Sequence, residues 1–233
     1  MLPQLARFKR AALDLVFPQK CIGCGIEGDF LCSGCKKTLT RIMPPICPKC
    51  GKPQPSGIIC SKCVSWRNNI DGIRSPFKFE GIIREVIHQF KYKNLRCLAR
   101  PLAFLLNEYL KQNYLSVQLI VPVPLSSKRL RERGYNQSAL LAEELSKITQ
   151  LPRDISNLRR IKYNLPQAKT KSLEERLNNV DQAFSCNDVS IQNTNILLID
   201  DVSTSGATLD ACAEALKTAG ASSVWGLVVA REL

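Results

Sequence analysis

The sequence predicts an α/β protein preceded by a small cysteine-rich metal module. Two observations carry this. Four Cys-x-x-Cys pairs lie between Cys21 and Cys63, and the C-terminal half alternates short apolar strands with amphipathic helices. Length adds a third, because 233 residues suffice for one substantial core plus a small module. The expected division is 1–66 for an N-terminal helix and double zinc ribbon, and 67–233 for the α/β domain.

From the N-terminus, residues 1–18 interrupt apolar positions with Arg7, Lys9, Arg10 and Asp14. That is the pattern of a short amphipathic helix, without the continuous apolar segment of a secretory signal. No run of eighteen apolar residues occurs, so no membrane span is implied and a cytoplasmic location is the default expectation. The pairs Cys21/Cys24, Cys32/Cys35, Cys47/Cys50 and Cys60/Cys63 follow. A two-residue gap lets both sulfurs of a tight turn face one tetrahedral ion. Seven residues separate the first two pairs, nine the last two, and eleven the two halves, which favours sequential over interleaved pairing. Gly25 and Gly51 follow the first pair of each half, where a tight turn often needs positive φ. Disulfides belong to oxidising compartments, and iron–sulfur spacings gather three cysteines close together, so two Zn²⁺ ions are favoured over both. With all four positions of each ion filled by sulfur, the zincs are structural and the module is a candidate docking surface.

Cys97, Cys186 and Cys212 stand apart. Cys212, among Ala211, Ala213, Ala215 and Leu216, reads as a small buried hydrophobe. A nucleophilic thiol needs a base, and the single histidine, His88, lies in an amphipathic pattern as a surface or half-buried residue. Cysteine catalysis is disfavoured.

Beyond Trp66, Ile83, Val86, Ile87 and Phe90 fall at helical spacing, and Pro101–Asn113 reads as a second helix. Leu119–Pro124 is a short buried strand ending in a proline-stiffened turn. Lys128, Arg129, Arg131 and Arg133 come next, ahead of a helix through Leu145. Four cations at a strand's carboxyl end suit a pyrophosphate, with the exposed start of a helix as the alternative. The polar stretch 159–176, including Gln167, Lys171 and Arg176, reads as a mobile loop able to close over a charged substrate. The last helix spans Ala207–Thr218, stops near Gly220 and feeds the strand Val224–Ala230.

The most informative stretch runs from Ile196 to Thr208. Four apolar residues form a buried strand, Asp200 and Asp201 sit where it emerges, and a turn of small hydroxyl residues and glycine opens a helix. Ligands of open α/β sheets bind at the strands' carboxyl ends. Such a turn presents backbone N–H groups and a helix dipole to phosphate. Acids for hydroxyls and a cradle for phosphate point to a sugar phosphate. An ordinary strand–turn–helix capped by Thr204 or Ser205 is the competing reading, but it does not call for two carboxylates.

Asp200-Asp201-Val202-Ser203-Thr204-Ser205-Gly206-Ala207-Thr208 resembles the phosphoribosyl-pyrophosphate signature of type I phosphoribosyltransferases. The resemblance implies that Asp200 and Asp201 contact the ribose hydroxyls, or waters of a Mg²⁺ ion bound with phosphoribosyl pyrophosphate. Thr204, Ser205, Gly206, Ala207 and Thr208 would hold the 5-phosphate. Pro124, Leu125, Ser126, Ser127 and Lys128 match the pyrophosphate-loop position, with Arg129 nearby and Arg176 and Lys171 from the mobile loop. Thr204 stands where relatives that salvage oxopurines carry an acid, so no general base is transferred. Together with the cysteine pairs, Val121-Pro122-Val123-Pro124, Arg133-Gly134-Tyr135-Asn136-Gln137, and Gln167, Arg176 and Asn179, the chain resembles the ComF family of competence proteins. This implies a parallel sheet flanked by helices behind an N-terminal zinc module, and a role in DNA uptake and natural transformation.

The formal charge of +13 is uneven: residues 1–100 hold 18 Lys/Arg against 6 Asp/Glu, and residues 101–233 hold 15 against 14. Zinc-bound thiolates would remove about four units from the front. The remaining excess suits an acidic partner such as single-stranded DNA, with a solvated basic surface as the plain alternative. Two functions stay open at this point. One is a phosphoribosyltransferase in which Asp200, Asp201, Arg176 and Lys128 carry catalysis. The other is a non-catalytic DNA-binding adaptor that meets uptake or recombination proteins.

Overall fold

The computed structural model describes residues 19–65, 69–161, 183–187 and 189–233. The expected N-terminal helix, Trp66 and most of the polar loop, including Gln167, Lys171, Arg176 and Asn179, lie outside the described residues. In chain order the elements are helices α1 (Ser33–Lys37) and α2 (Ser61–Val64), strands β1 (Gly72–Arg74) and β2 (Phe77–Lys78), and helices α3 (Gly81–Tyr92) and α4 (Ala99–Gln112). Strand β3 (Leu119–Pro122) follows, then α5 (Ser127–Arg133), α6 (Gln137–Thr149), β4 (Leu158–Arg160) and β5 (Phe184–Cys186). The chain closes with β6 (Asn195–Ser203), α7 (Ala207–Thr218) and β7 (Ser223–Arg231).

The main sheet is parallel throughout, in the order β1-β7-β6-β3, with β2 continuing beside β7. Its strands are covered on both faces, which explains the unbroken apolar run at 196–199. Leu197 and Ile199 join α3, α4 and α6 in one core, and Ile196 and Leu198 join α7 in the other. Each fully buried Leu or Ile stabilises by roughly 2 kcal/mol. β4 and β5 form a separate antiparallel pair, from which Leu158 and Phe184 pack into the α7 core.

The predicted helices at 83–90, 101–113 and 207–218 and the strand at 224–230 are present within a few residues. The cation-rich stretch forms its own two-turn helix, α5. It is ended by Gly134 at φ +74°, a conformation that costs glycine little.

The cysteine module docks on the α/β core through several contacts. Cys21, Leu31, Cys35 and Leu39 belong to the same core as α3 and α4. The second half lies against β1: the Ile73 amide donates to the Lys49 carbonyl at 2.7 Å, and Arg74 Nη1 donates to the Pro48 carbonyl at 2.8 Å. Gly51, at φ +70°, lies so close that an added Cβ would come within 2.3 Å of the Ile73 carbonyl oxygen. Between the halves, the Ile42 amide donates to Pro76 and the Lys78 amide to Thr40.

Candidate functional site

The cysteines gather as Cys21, Cys24, Cys32, Cys35 and as Cys47, Cys50, Cys60, Cys63, each quartet with its sulfurs within 4.8 Å of one another. The sequential pairing is the one the structure adopts. Cys24 and Cys32 Sγ are 3.7 Å apart, and Cys50 and Cys60 Sγ 3.8 Å. Sulfurs about 2.3 Å from a tetrahedral zinc sit about 3.8 Å from each other, whereas a disulfide requires about 2.05 Å. The donor set and geometry therefore fit Zn²⁺. Amides support the sulfurs as they do in metal knuckles: Cys32 N donates to Cys21 Sγ and Cys60 N to Cys47 Sγ, each at 3.4 Å. Burial works against ionisation at Cys21 and Cys47, yet these and neighbouring amides pull both thiols down to about 6. Both quartets are closed tetrahedra with no position for a substrate.

The acid pair lies inside β6, since that strand runs to Ser203. Its neighbour β3 ends earlier, with Pro122 opposite Ile199, and the Val123 amide donates to the Ile199 carbonyl at 2.9 Å. Beyond that bond one side of β6 is free of strand pairing, and Asp200 and Asp201 occupy this stretch. Asp201 is buried and its Oδ1 lies 2.7 Å from Lys91 Nζ of α3. Half-buried Asp200 accepts from Ser138 Oγ at 2.7 Å and from the Asp201 amide at 2.9 Å. Burial, then repulsion from Asp201, pushes the Asp200 carboxyl up to about 7, against the opposing effects of Ser138, the amide and Lys91.

The turn after β6 is open. Thr204, Ser205 and Thr208 are exposed, Ala207 is half-buried, and buried Gly206 adopts φ +94° as it caps α7. Ser205 Oγ accepts from the Ala207 amide at 3.3 Å. Among the described residues no acceptor is recorded for the amides of Thr204, Ser205, Gly206 or Thr208, leaving donors for an anion.

The stretch after β3 lies beside Asp200 through the Val123 bond. Ser126 caps α5 by accepting from the Arg129 amide at 3.3 Å, while Ser127, Lys128 and Arg129 are exposed in the first turn. The helix-start alternative is realised here, and it leaves Lys128 and Arg129 available to an anion. Arg133 is engaged elsewhere: Nη1 donates to Gln137 Oε1 at 3.0 Å, Nη2 to the Tyr92 hydroxyl at 3.2 Å, and the guanidinium lies 4.9 Å from the Tyr92 ring centre. The rest of that motif builds the site's wall. Tyr135 OH donates to the Phe90 carbonyl, and Asn136 caps α6 while its Nδ2 donates to Val123 O at 3.0 Å. Ser138 is thereby delivered to Asp200. Cys212 is fully buried and His88 exposed, as expected.

Sequence reasoning missed Lys91 and Ser138, the two side chains that hold the acids. It also missed a groove along α3. One cavity of about 620 Å³ is lined by Phe79, Arg84, Glu85, His88, Lys91 and Tyr92, and another of about 430 Å³ by Lys91, Tyr92, Arg96, Arg131, Glu132 and Arg133. The His88 and Tyr92 ring centroids are 4.9 Å apart.

Comparison with known proteins adds the following. Residues 12–64 match the family model described as a double zinc ribbon domain. The chain is 32% identical over 197 residues to competence protein ComFC of Bacillus subtilis (strain 168), covering 82% of this chain and 79% of that one. It is 30% identical over 225 residues to competence protein F of Haemophilus influenzae, covering 91% and 97%. Among solved structures, an adenine phosphoribosyltransferase overlaps 61% of this chain and 74% of its own length, with 16% identity and a TM-score of 0.39. Among the described residues no helix is long and apolar enough to cross a membrane.

Proposed function

This chain belongs to the ComF family of competence proteins, and from that membership and the geometry around Asp200 we propose that it binds phosphoribosyl pyrophosphate with Mg²⁺ while serving DNA uptake and natural transformation. One observation carries the ligand reading: two carboxylates on the stretch of β6 whose β3-side edge is free adjoin an exposed turn in which, among the described residues, the amides of Thr204, Ser205, Gly206 and Thr208 have no protein acceptor. The ribose hydroxyls go to Asp200 and Asp201, and the 5-phosphate to Thr204–Thr208. Ser127, Lys128 and Arg129 face the pyrophosphate, joined by Arg176. Mg²⁺ bound with the ligand would offset the charge of its pyrophosphate, and the acids fit a hard cation because both are oxygen donors. In the transfer reaction, the bond from ribose C1 to pyrophosphate breaks and a bond from C1 to an acceptor forms. Charge neutralisation by the exposed cations then supplies most of the catalysis.

Titration calorimetry with phosphoribosyl pyrophosphate and Mg²⁺ tests this reading. Binding should vanish in the Asp200→Asn/Asp201→Asn protein while both zincs remain, and an assay for released diphosphate shows whether turnover follows. Undiminished binding in the double variant overturns it.

The α3 groove favours a second, compatible role in handling single-stranded DNA. Cations interleaved with aromatic rings are the combination that holds a phosphodiester backbone while bases stack. Binding should fall steeply with salt, and an affinity flat between low and moderate salt excludes it.

A further inference from the structure

Lys91 stands at a junction. It is the penultimate residue of α3, half-buried, and its Nζ lies 2.7 Å from Asp201 Oδ1. It also lines both cavities along α3, and only Tyr92 shares that position with it. One ammonium therefore borders the groove on one side and holds a buried acid of the β6 site on the other. The other groove cations are placed differently. Among the described residues, none of them lies within ion-pair distance of Asp200 or Asp201.

A carboxylate as buried as Asp201 keeps a cation beside it. In the free protein that cation is Lys91. Asp201 can exchange it for a Mg²⁺ ion that arrives with phosphoribosyl pyrophosphate, and the exchange releases the ammonium. Lysine carries its charge on a flexible four-carbon stem, so Lys91 can turn to the groove without movement of α3. We propose that Lys91 is passed between Asp201 and a phosphodiester in the groove, so that single-stranded DNA and Mg²⁺-phosphoribosyl pyrophosphate bind with positive coupling. The inference rests on the two readings given above and adds that their sites are not independent. Coupling between sites is reciprocal. A strand that draws Lys91 away leaves Asp201 in need of another cation, and an Asp201 already supplied leaves Lys91 free for a phosphate. The ion pair of the free protein is then a latch that each ligand opens for the other.

Full-length, zinc-loaded protein tests this by binding alone, without turnover. Fluorescence anisotropy gives the affinity for a labelled oligothymidine over a range of salt, with and without saturating phosphoribosyl pyrophosphate and Mg²⁺. The ligand should tighten strand binding about tenfold. It should also steepen the fall of log affinity with log salt by about 0.7, the share of one added phosphate contact on a single strand. Arg131 lines the groove away from the acids, so Arg131→Ala should bind the strand more weakly throughout yet keep the tenfold tightening. In Lys91→Gln the tightening and the steeper slope should both vanish. Wild-type affinity and slope that ignore the ligand, mutual weakening, or coupling that persists in Lys91→Gln overturns the proposal. If Lys91→Gln does not fold, the wild-type salt slope decides. Failure of either ligand to bind on its own is a different result, which removes the function proposed above and the coupling with it.

Discussion

Lys91 Nζ and Asp201 Oδ1 meet at 2.7 Å, with the Asp201 side chain 6% exposed and Lys91 20%. The pair joins the fourth turn of α3 to the strand that carries both acids. It supplies the only cation within ion-pair distance of either acid among the described residues.

Replacing Lys91 by Met should therefore destabilise the protein by about 3 kcal/mol, because it leaves a buried carboxylate unpaired. It should also move the Asp200 titration above its present position near 7, since Lys91 lowers it. Chemical denaturation and carboxyl-carbon NMR titration check the two effects. An Asp200 titration that stays put or moves down contradicts the arrangement.

Asp200 makes stability depend on pH in a defined direction. In the fold it stays protonated up to about 7, whereas an unfolded Asp ionises from about pH 4. The unfolded chain is favoured progressively between these values, and the cost is constant above them. Asp200→Asn removes the titration. Its melting temperature should gain on the wild type from pH 4 to 7 and run parallel above. A constant gap across that window speaks against the raised carboxyl.

Ser138→Ala removes the 2.7 Å hydrogen bond to Asp200 Oδ1. Loss of a bond to an ionisable group costs about 1.5 kcal/mol and leaves Asp200 still harder to ionise. Affinity for Mg²⁺ with phosphoribosyl pyrophosphate should drop severalfold at pH 7 and recover at pH 8.5. Affinity independent of pH in this variant would detach Ser138 from the site.

Gly51→Ala combines a φ of +70° with a Cβ only 2.3 Å from the Ile73 carbonyl oxygen. The second ribbon must move off β1 to accommodate it, a destabilisation of about 2 kcal/mol. Hydrogen exchange at Ile73, whose amide donates to Lys49, reports the displacement. Protection equal to wild type would mean that the ribbon yields elsewhere.

What the sequence could reveal was set by locality. The cysteine pairs, the acid pair with its hydroxyl turn, and α7 each lie within one short window, and their chemistry is legible there. Ser138 and Asp200 lie 62 residues apart, and Lys91 is farther still from Asp201, so neither contact leaves a periodic trace. β1 and β2 have three and two residues, too short for any alternation to emerge. Charge alone groups Arg133 with three other cations suited to a pyrophosphate or to an exposed helix start, whereas Tyr92 and Gln137, brought close only by folding, hold it. The four-residue apolar strand proved to be nine residues long, because β7 pairs with its polar end as readily as with its greasy one.

The bonds from Lys49 to Ile73 and from Thr40 to Lys78 have a consequence for solubility. They occupy the outer rim of the sheet, where bare amides and carbonyls would otherwise recruit strands from other molecules. Metal starvation would strip that rim, so a cell short of zinc should accumulate this protein as aggregates.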